Sequence, residues 1–157
     1  MMDQGRPRRQ DFHFFHSLRV RWAEVDIQKI VFNAHYLMYA DVAFTEYWRM
    51  TGLTPPLEQH QVEGGELFVR QTSIDYYDSA VFDDELEIGV RCLRMGRSSL
   101  QFQVAMFRKG SDSLLNAVQL LYVYAAPASV TAPAKSRSLP EAWRDRLAQI
   151  EGIAKQS

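Results

Sequence analysis

The sequence has a single cysteine, few glycines and prolines, and no long apolar run. Because Cys92 has no second cysteine to pair with, an intramolecular disulfide is impossible and a reducing compartment is the simpler expectation. No stretch approaches the roughly 20 consecutive apolar residues that span a bilayer. The basic N-terminus is not followed by an apolar segment, so it lacks the features of a secretory signal. We therefore predict a cytoplasmic protein without a membrane span.

An excess of charge of either sign is absent as well. The 18 Lys and Arg residues nearly balance the 19 Asp and Glu residues, which gives a formal net charge of -1. The chain has no overall attraction to nucleic acid, and we expect no nucleic-acid partner. No set of Cys, His and carboxylate residues has the spacing of a zinc site, and no metal or organic cofactor is implied. The chain also lacks a Gly-rich phosphate loop and a G-x-S-x-G elbow, which argues against a nucleoside-triphosphate enzyme and an α/β-hydrolase.

The length of 157 residues fits one domain. Residues 1–11, which include Arg6, Arg8 and Arg9, are predicted to form a flexible, solvated tail. The single domain is predicted to cover residues 12–152, and residues 153–157 are predicted to form a C-terminal tail.

A long helix is predicted in the first third of the chain, from Ala34 to Met50. Its apolar residues recur at three- and four-residue spacing, which places them on one face of the helix. Asn33 has a side chain that can cap the helix start, and Gly52 suits the left-handed residue that ends a helix. The apolar face indicates that this helix lies against a sheet.

Strand patterns lie on both sides of this helix in the sequence. They cover Phe12–Trp22 before it, and Leu67–Tyr77, Asp84–Met95, Ser98–Lys109 and Leu114–Ala126 after it, followed by a short helix that opens at Leu139-Pro140. Gly96-Arg97 predicts a tight hairpin, and residues 54–65 and 127–138 are predicted to be irregular. Because helix and strands are segregated along the chain, we predict an α+β fold with an antiparallel sheet wrapped around one long central helix.

The segment before the long helix contains the clearest candidate for chemistry. Asp26 can act as a base or a nucleophile, and the first N–H groups of the following helix are free to bind a developing oxyanion. Those two components suffice for acyl transfer. A lone aspartate before a helix is more often a cap or a solvated loop residue, so the residues alone leave both interpretations open. The neighbouring Glu24 is expected to project into solvent.

The segment from Trp22 to Tyr36 resembles the signature of hot-dog thioesterases of the 4-hydroxybenzoyl-CoA thioesterase type. The residues that match this signature are Asp26, Val31, Phe32, Asn33 and Tyr36. Further matching blocks follow in the family's order at Tyr76–Ala80, Asp84–Ile88, Gly96–Ser99 and Leu139-Pro140. The resemblance covers most of the chain, from about residue 19 to residue 147, and it implies the hot-dog fold.

The same resemblance implies the hydrolysis of an acyl-CoA, or of an acyl group on a carrier protein, to the free acid and thiol. Asp26 would attack the thioester carbon or deprotonate water, and the backbone N–H of Asn33 would polarise the carbonyl. The residues expected to bind the substrate are Phe32, His35 and Tyr36, together with Arg94, Arg97 and Ser98 at the phosphates of CoA. For His35, a surface position or a contact with a dimer partner is the alternative. Since the family's active site lies between subunits, the resemblance implies a homodimer, or a tetramer assembled from such dimers, as the working unit.

Three residues depart from the family's pattern. Lys29 stands where relatives have glycine, so the turn after Asp26 requires either another shape or a left-handed lysine. Asn33 replaces a histidine and Trp22 a tyrosine, so the resemblance leaves two expectations open: a preference for a different acyl group, or slow turnover of common ones. Two alternatives to hydrolysis by an acyl-CoA thioesterase stay open: a non-catalytic hot-dog protein that binds an acyl thioester, and a product-releasing enzyme of a polyketide or aromatic-degradation pathway. The carboxylate of Asp26 favours hydrolysis.

Overall fold

A computed structural model describes residues 5–53, 64–126 and 133–154. The strands and α-helices in these ranges are β1 (Phe14–Arg19), α1 (His35–Thr51), β2 (Glu66–Tyr76), β3 (Glu85–Met95), β4 (Ser99–Arg108), β5 (Leu114–Ala126), β6 (Lys135–Ser136) and α2 (Glu141–Glu151). The strands form one antiparallel sheet in the order β1-β3-β4-β5-β2, and the short β6 pairs with the end of β5. Neither α-helix of the described ranges is long and apolar enough to cross a bilayer.

The predicted α+β fold is confirmed, and most predicted elements lie within two residues of the observed ones. The last long strand, Leu114–Ala126, has the predicted bounds. Gly52 ends α1 with a φ of 74°, as its position predicted. β6 lies in a stretch that was predicted to be irregular, and most of the loop predicted for residues 54–65 falls outside the described residues.

The core lies between α1 and the concave face of the sheet. Alternate residues of β4 point toward the helix and are fully buried: Leu100, Phe102, Val104 and Met106. From the helix, Phe44 packs against these strands: its ring stacks on Tyr122 of β5 at 4.8 Å and meets Phe102 of β4 edge-on at 5.0 Å. Edge-to-face and stacked rings of this kind contribute beyond the area they bury. The apolar face of α1 is therefore what holds the helix inside the sheet.

The start of α1 differs from the prediction. The N-cap residue is Ala34 rather than Asn33, and no side chain caps the helix. Since alanine has no acceptor and the side chain of Asn33 makes no cap bond, the first N–H groups of α1 are not satisfied by a side chain. His35 N and Leu37 N donate instead to the backbone carbonyls of Phe32 at 2.9 Å and Ala34 at 3.2 Å, whereas the N–H groups of Asn33 and Ala34, just before the helix, have no acceptor among the described residues.

The N-terminal segment lies on the outer face of the sheet. Arg9 is about one-quarter exposed and forms an ion pair with Glu87 at 2.5 Å, and its guanidinium also donates to Ser111 O at 2.8 Å. Phe12 packs so closely on Gly89 that a Cβ at residue 89 would come within 2.6 Å of the ring. Arg9 is therefore not a solvated residue, although the domain boundaries at residues 12 and 152 stay predictions.

Candidate active site

Residues 24–32 form a small β-hairpin between β1 and α1, which we call the Asp26 hairpin. Phe32 N donates to Glu24 O at 2.9 Å, and Asp26 N donates to Ile30 O at 3.0 Å. At the turn, Lys29 N donates to Asp26 O at 2.9 Å, while Gln28 N donates to Asp26 Oδ1 at 2.7 Å. Asp26 thus stands at the first position of a tight turn, with one carboxylate oxygen held by the backbone.

Lys29 adopts the left-handed conformation, with a φ of 62°. Of the two alternatives for this turn, the structure therefore has the left-handed lysine. The conformation costs a non-glycine residue about 1 kcal/mol or more. The hairpin therefore has the same kind of tight turn that a glycine at this position would form, and the strain lies in the backbone of Lys29.

Asp26 lines an open cavity of about 440 Å³. The other lining residues are Trp22, Val25, Lys29, Val81 and Phe82. The rings of Trp22 and Phe82 meet edge-on at 5.3 Å, although the Trp22 side chain is 73% exposed. A mainly apolar wall with a few polar groups is the usual composition of a small-molecule site.

Free backbone donors lie at the start of α1. The N–H groups of Asn33 and Ala34 donate to no group within the described residues, whereas His35 N donates to Phe32 O at 2.9 Å. Asn33 O accepts from Tyr76 Oη at 3.2 Å, which fixes the peptide from the other side. The positive end of the helix dipole adds to these donors. A carboxylate and unpaired backbone donors therefore lie in consecutive parts of one segment.

The predicted substrate-binding residues around this helix start have different environments. Phe32 is 46% exposed, and its ring meets that of His35 edge-on at 6.1 Å. Tyr36 is only 2% exposed, and its hydroxyl accepts from Ala80 N at 2.9 Å. Burial raises the pKa of Tyr36. Phe32 and His35 thus face the surface, whereas Tyr36 lies in the interior and supports the segment around Ala80.

Glu24 is the residue that the sequence interpretation misplaced. It is 5% exposed rather than solvated, and it accepts from Tyr39 Oη at 2.6 Å and from Arg21 Nε at 2.8 Å. Burial by itself would raise the pKa of Glu24, but the hydrogen bonds from Tyr39 and Arg21 outweigh it and hold the pKa below its usual value. The reason is local: residues 22–24 form a 3-10 turn, which exposes Trp22 and directs Glu24 inward.

The predicted CoA-binding residues lie at the opposite end of the sheet. β1 pairs Arg19 with Glu85, so the Asp26 hairpin follows the Glu85 end of β3, whereas Arg94 lies nine residues further along. At about 3.3 Å per residue this separation is roughly 30 Å. Arg97 donates to Ser136 Oγ at 3.1 Å and to Ser138 Oγ at 3.4 Å. Within one protomer the structure does not bring Arg94, Arg97 and Ser98 to Asp26.

Comparison with known proteins identifies relatives of the chain. The sequence profile of the Thioesterase superfamily matches residues 28–114, which is more than half of the chain. The acyl-CoA thioester hydrolase YbgC of Escherichia coli is 28% identical over 124 residues, which cover 79% of this chain and 87% of YbgC.

Solved structures give the same indication. The PA5185 protein from Pseudomonas aeruginosa superposes with a TM-score of 0.77 at 28% identity, over 94% of this chain and 97% of that protein. A 4-hydroxybenzoyl-CoA thioesterase in complex with 4-hydroxybenzoyl-CoA also superposes with a TM-score of 0.77, over 85% of this chain and 97% of that enzyme. Its identity is 17%, so this second likeness concerns the fold alone.

Proposed function

The chain belongs to the thioesterase superfamily, and we propose that it hydrolyses an acyl-CoA thioester by means of Asp26. The predicted hot-dog fold is confirmed by the likeness to solved structures, and the predicted enzyme class, an acyl-CoA thioesterase, is confirmed by the family match and by the YbgC relative. The roles of individual residues and the oligomeric state are our proposals, and the cytoplasmic location stays a prediction.

The observation that carries the proposed mechanism is that the Asp26 carboxylate lies on a tight hairpin, and that the N–H groups of Asn33 and Ala34, which have no acceptor among the described residues, follow this hairpin directly. One route has Asp26 attack the thioester carbon, which breaks the C–S bond and releases the CoA thiolate; water then cleaves the mixed anhydride. In the other route, Asp26 takes the proton of an attacking water. Both routes place negative charge on the carbonyl oxygen, where the N–H groups of Asn33 and Ala34 would stabilise it. A protein that only binds thioesters would have no need for this carboxylate.

We further propose that the working unit is a homodimer joined through β2. This strand has eleven residues and forms one edge of the sheet, whereas the other edge strand, β1, has six. Phe68 and Val69 on β2 are 41% and 58% exposed. A long, exposed and apolar edge ordinarily pairs with another strand or is covered. A second copy of the chain supplies such a strand.

Dimer symmetry would also bring the predicted CoA-binding residues of one protomer close to Asp26 of the other. A two-fold axis pairs two copies of β2 antiparallel. In one protomer, β2 begins beside the turn that contains Arg97 and ends at Tyr76, next to the Asp26 hairpin. Antiparallel pairing therefore brings the partner subunit's Arg97 to the same end of the joint sheet as Asp26. This topology supports an active site to which both protomers contribute.

Asp26→Asn tests the proposed mechanism. The amide keeps the size of the side chain and an acceptor for Gln28 N, so we expect folding and dimerisation to survive. We expect kcat on the best substrate from an acyl-CoA panel to fall by about 10²- to 10⁴-fold, the range for losing a general base. Release of thiol measures kcat, and analytical ultracentrifugation measures the dimer. A dimeric variant with near-normal kcat would show that Asp26 is a structural residue.

A further inference from the structure

Two tyrosines on α1 hold the Asp26 hairpin, and they lie one helical turn apart. Tyr36 Oη accepts from Ala80 N, and Ala80 O accepts from Val31 N at 2.9 Å, so Tyr36 supports the second strand of the hairpin through Ala80. Tyr39 Oη donates to the carboxylate of Glu24, which begins the first strand. The two rings meet edge-on at 6.1 Å. The hairpin is therefore joined to one face of α1 along both of its strands.

Glu24 joins three separate pieces of chain, and its carboxylate contacts two of them. Besides the bond from Tyr39 of α1, it accepts from Arg21 N and from Arg21 Nε, each at 2.8 Å. A buried carboxylate is tolerated only when its oxygens are paired in this way. The backbone of Glu24 also accepts from Phe32 N. One residue thus links the end of the β1 segment, the base of the hairpin and the helix.

The position of Glu24 connects the two halves of the proposed chemistry. Asp26 follows Glu24 by two residues on the first strand. Phe32, which pairs with Glu24, immediately precedes Asn33 and its free N–H. The N–H of Asn33 lies in the peptide that follows Phe32, whereas the N–H of Ala34 belongs to the N-cap residue of α1. Movement of the hairpin relative to α1 therefore changes the distance between the Asp26 carboxylate and the N–H of Ala34. Misplacement by about 1 Å is enough to slow an enzyme by up to about 100-fold.

We propose that Glu24 and Tyr39 are the positioning residues of the active site. Their hydrogen bond fixes the Asp26 carboxylate relative to the N–H groups at the start of α1. Neither side chain lines the cavity next to Asp26, so they act through Asp26 rather than on the substrate. This inference rests on the proposed catalytic role of Asp26.

The same helix supplies a matched control. Tyr47 lies two turns beyond Tyr39, is fully buried, and donates its hydroxyl hydrogen bond to the carboxylate of Glu151 in α2. Glu151 also accepts from Cys92 N at 3.0 Å. This second tyrosine–carboxylate bond joins α1 to α2 and β3 and has no contact with the Asp26 hairpin. Tyr→Phe substitution removes one hydroxyl from each pair and leaves both rings in place.

The experiment compares Tyr39→Phe with Tyr47→Phe in the full-length protein. We expect kcat of Tyr39→Phe to fall about 10- to 100-fold, with KM within about threefold of wild type, because geometry rather than binding is lost. Tyr47→Phe should keep kcat within about twofold, even where both variants lose similar thermal stability. Circular dichroism and ultracentrifugation, both well below the melting temperature, verify that each variant is folded and dimeric.

A double variant tests whether Tyr39 acts through Asp26. In Asp26→Asn, the group to be positioned is absent, so adding Tyr39→Phe should leave the residual kcat unchanged. Normal kcat in Tyr39→Phe, or equal losses in Tyr39→Phe and Tyr47→Phe, would overturn the positioning role while an inactive Asp26→Asn still upheld the proposed function. Near-normal kcat in Asp26→Asn would overturn both.

Discussion

The two ends of α1 use the same kind of contact for different purposes. At the hairpin end, Tyr39 binds a buried carboxylate that belongs to the active-site segment, and at the other end Tyr47 binds a carboxylate of α2. Burial and the neighbouring carboxylate raise the pKa of both tyrosines, so both hydroxyls stay protonated and act as donors. A tyrosine–glutamate bond therefore does not by itself indicate a functional site, and the element that receives the bond decides its role.

The surroundings of the two ends also differ. The hairpin end exposes apolar side chains, among them Trp22, Phe32 and Ile27, which is 98% exposed. The N–H groups of Asn33 and Ala34 at this end have no acceptor among the described residues. The α2 end is closed, because Trp143 meets Trp48 edge-on at 5.1 Å and Gly52 completes the helix. Cys92 is buried there, and burial raises the pKa of its thiol to about 12. The α2 end of α1 is thus closed by packed side chains, whereas the hairpin end carries exposed apolar side chains and N–H groups that have no acceptor among the described residues.

The largest expected effect is a loss of stability when the α2 end of α1 is disrupted. Trp143 is 3% exposed and also contacts the ring of Tyr124 at 5.3 Å, so Trp143→Ala removes an aromatic side chain that joins α2 to both α1 and β5. We expect the free energy of unfolding to fall by about 3–5 kcal/mol, the range for such truncations. Denaturation with urea measures the loss. If the two ends are separable, the folded fraction of the variant keeps a near-normal kcat; a matching loss of kcat would refute the separation.

A smaller effect concerns the predicted phosphate contacts on the far turn. If the partner subunit's Arg94 and Arg97 bind CoA, the double variant Arg94→Ala/Arg97→Ala should raise KM for acyl-CoA by about 10- to 100-fold, as expected for lost charge-assisted contacts of about 1.5–3 kcal/mol. KM for the corresponding pantetheine thioester should change little. Arg49→Ala, at an exposed arginine of α1 that pairs with Glu46, controls for the loss of charge. Equal increases of KM for both thioesters would contradict the assignment.

The fold was largely predictable because its signals are periodic. Apolar spacing located α1 to within one residue at each end, and the strand pattern gave the bounds of β5. Gly52 was predictable because only a left-handed residue ends the helix there. The two-residue β6 has no periodic signal of its own, and its pairing depends on β5.

The site was predictable only in part, since its details depend on local reversals of the usual pattern. The family signature selected Asp26 and left two alternatives for the turn after it, of which the structure has the left-handed Lys29. Glu24 was predicted to project into solvent, whereas the 3-10 turn of residues 22–24 directs it inward. The partner of Glu24 is Tyr39, fifteen residues away on another element. The only indication of this pairing in the sequence is a tyrosine, Tyr39, whose hydroxyl needs a partner on the buried face of α1.

The smallest expected effect is the pH dependence of the stability that Glu24 contributes at the hairpin end. Hydrogen bonds from Tyr39 and Arg21 hold the pKa of Glu24 below its ordinary value of 4.5, despite its burial. A group whose pKa is lower in the folded state stabilises the fold above its ordinary pKa, and this contribution disappears as the pH falls through the folded-state pKa. We expect the stability difference between wild type and Glu24→Gln to be constant near neutral pH and to shrink below about pH 4.5, because the glutamine does not titrate. Urea denaturation at a series of pH values measures both proteins. A difference that stays constant down to pH 3 would show that the carboxylate of Glu24 is not the charged acceptor of the Tyr39 bond, and the contrast with the α2 end would then rest on packing alone.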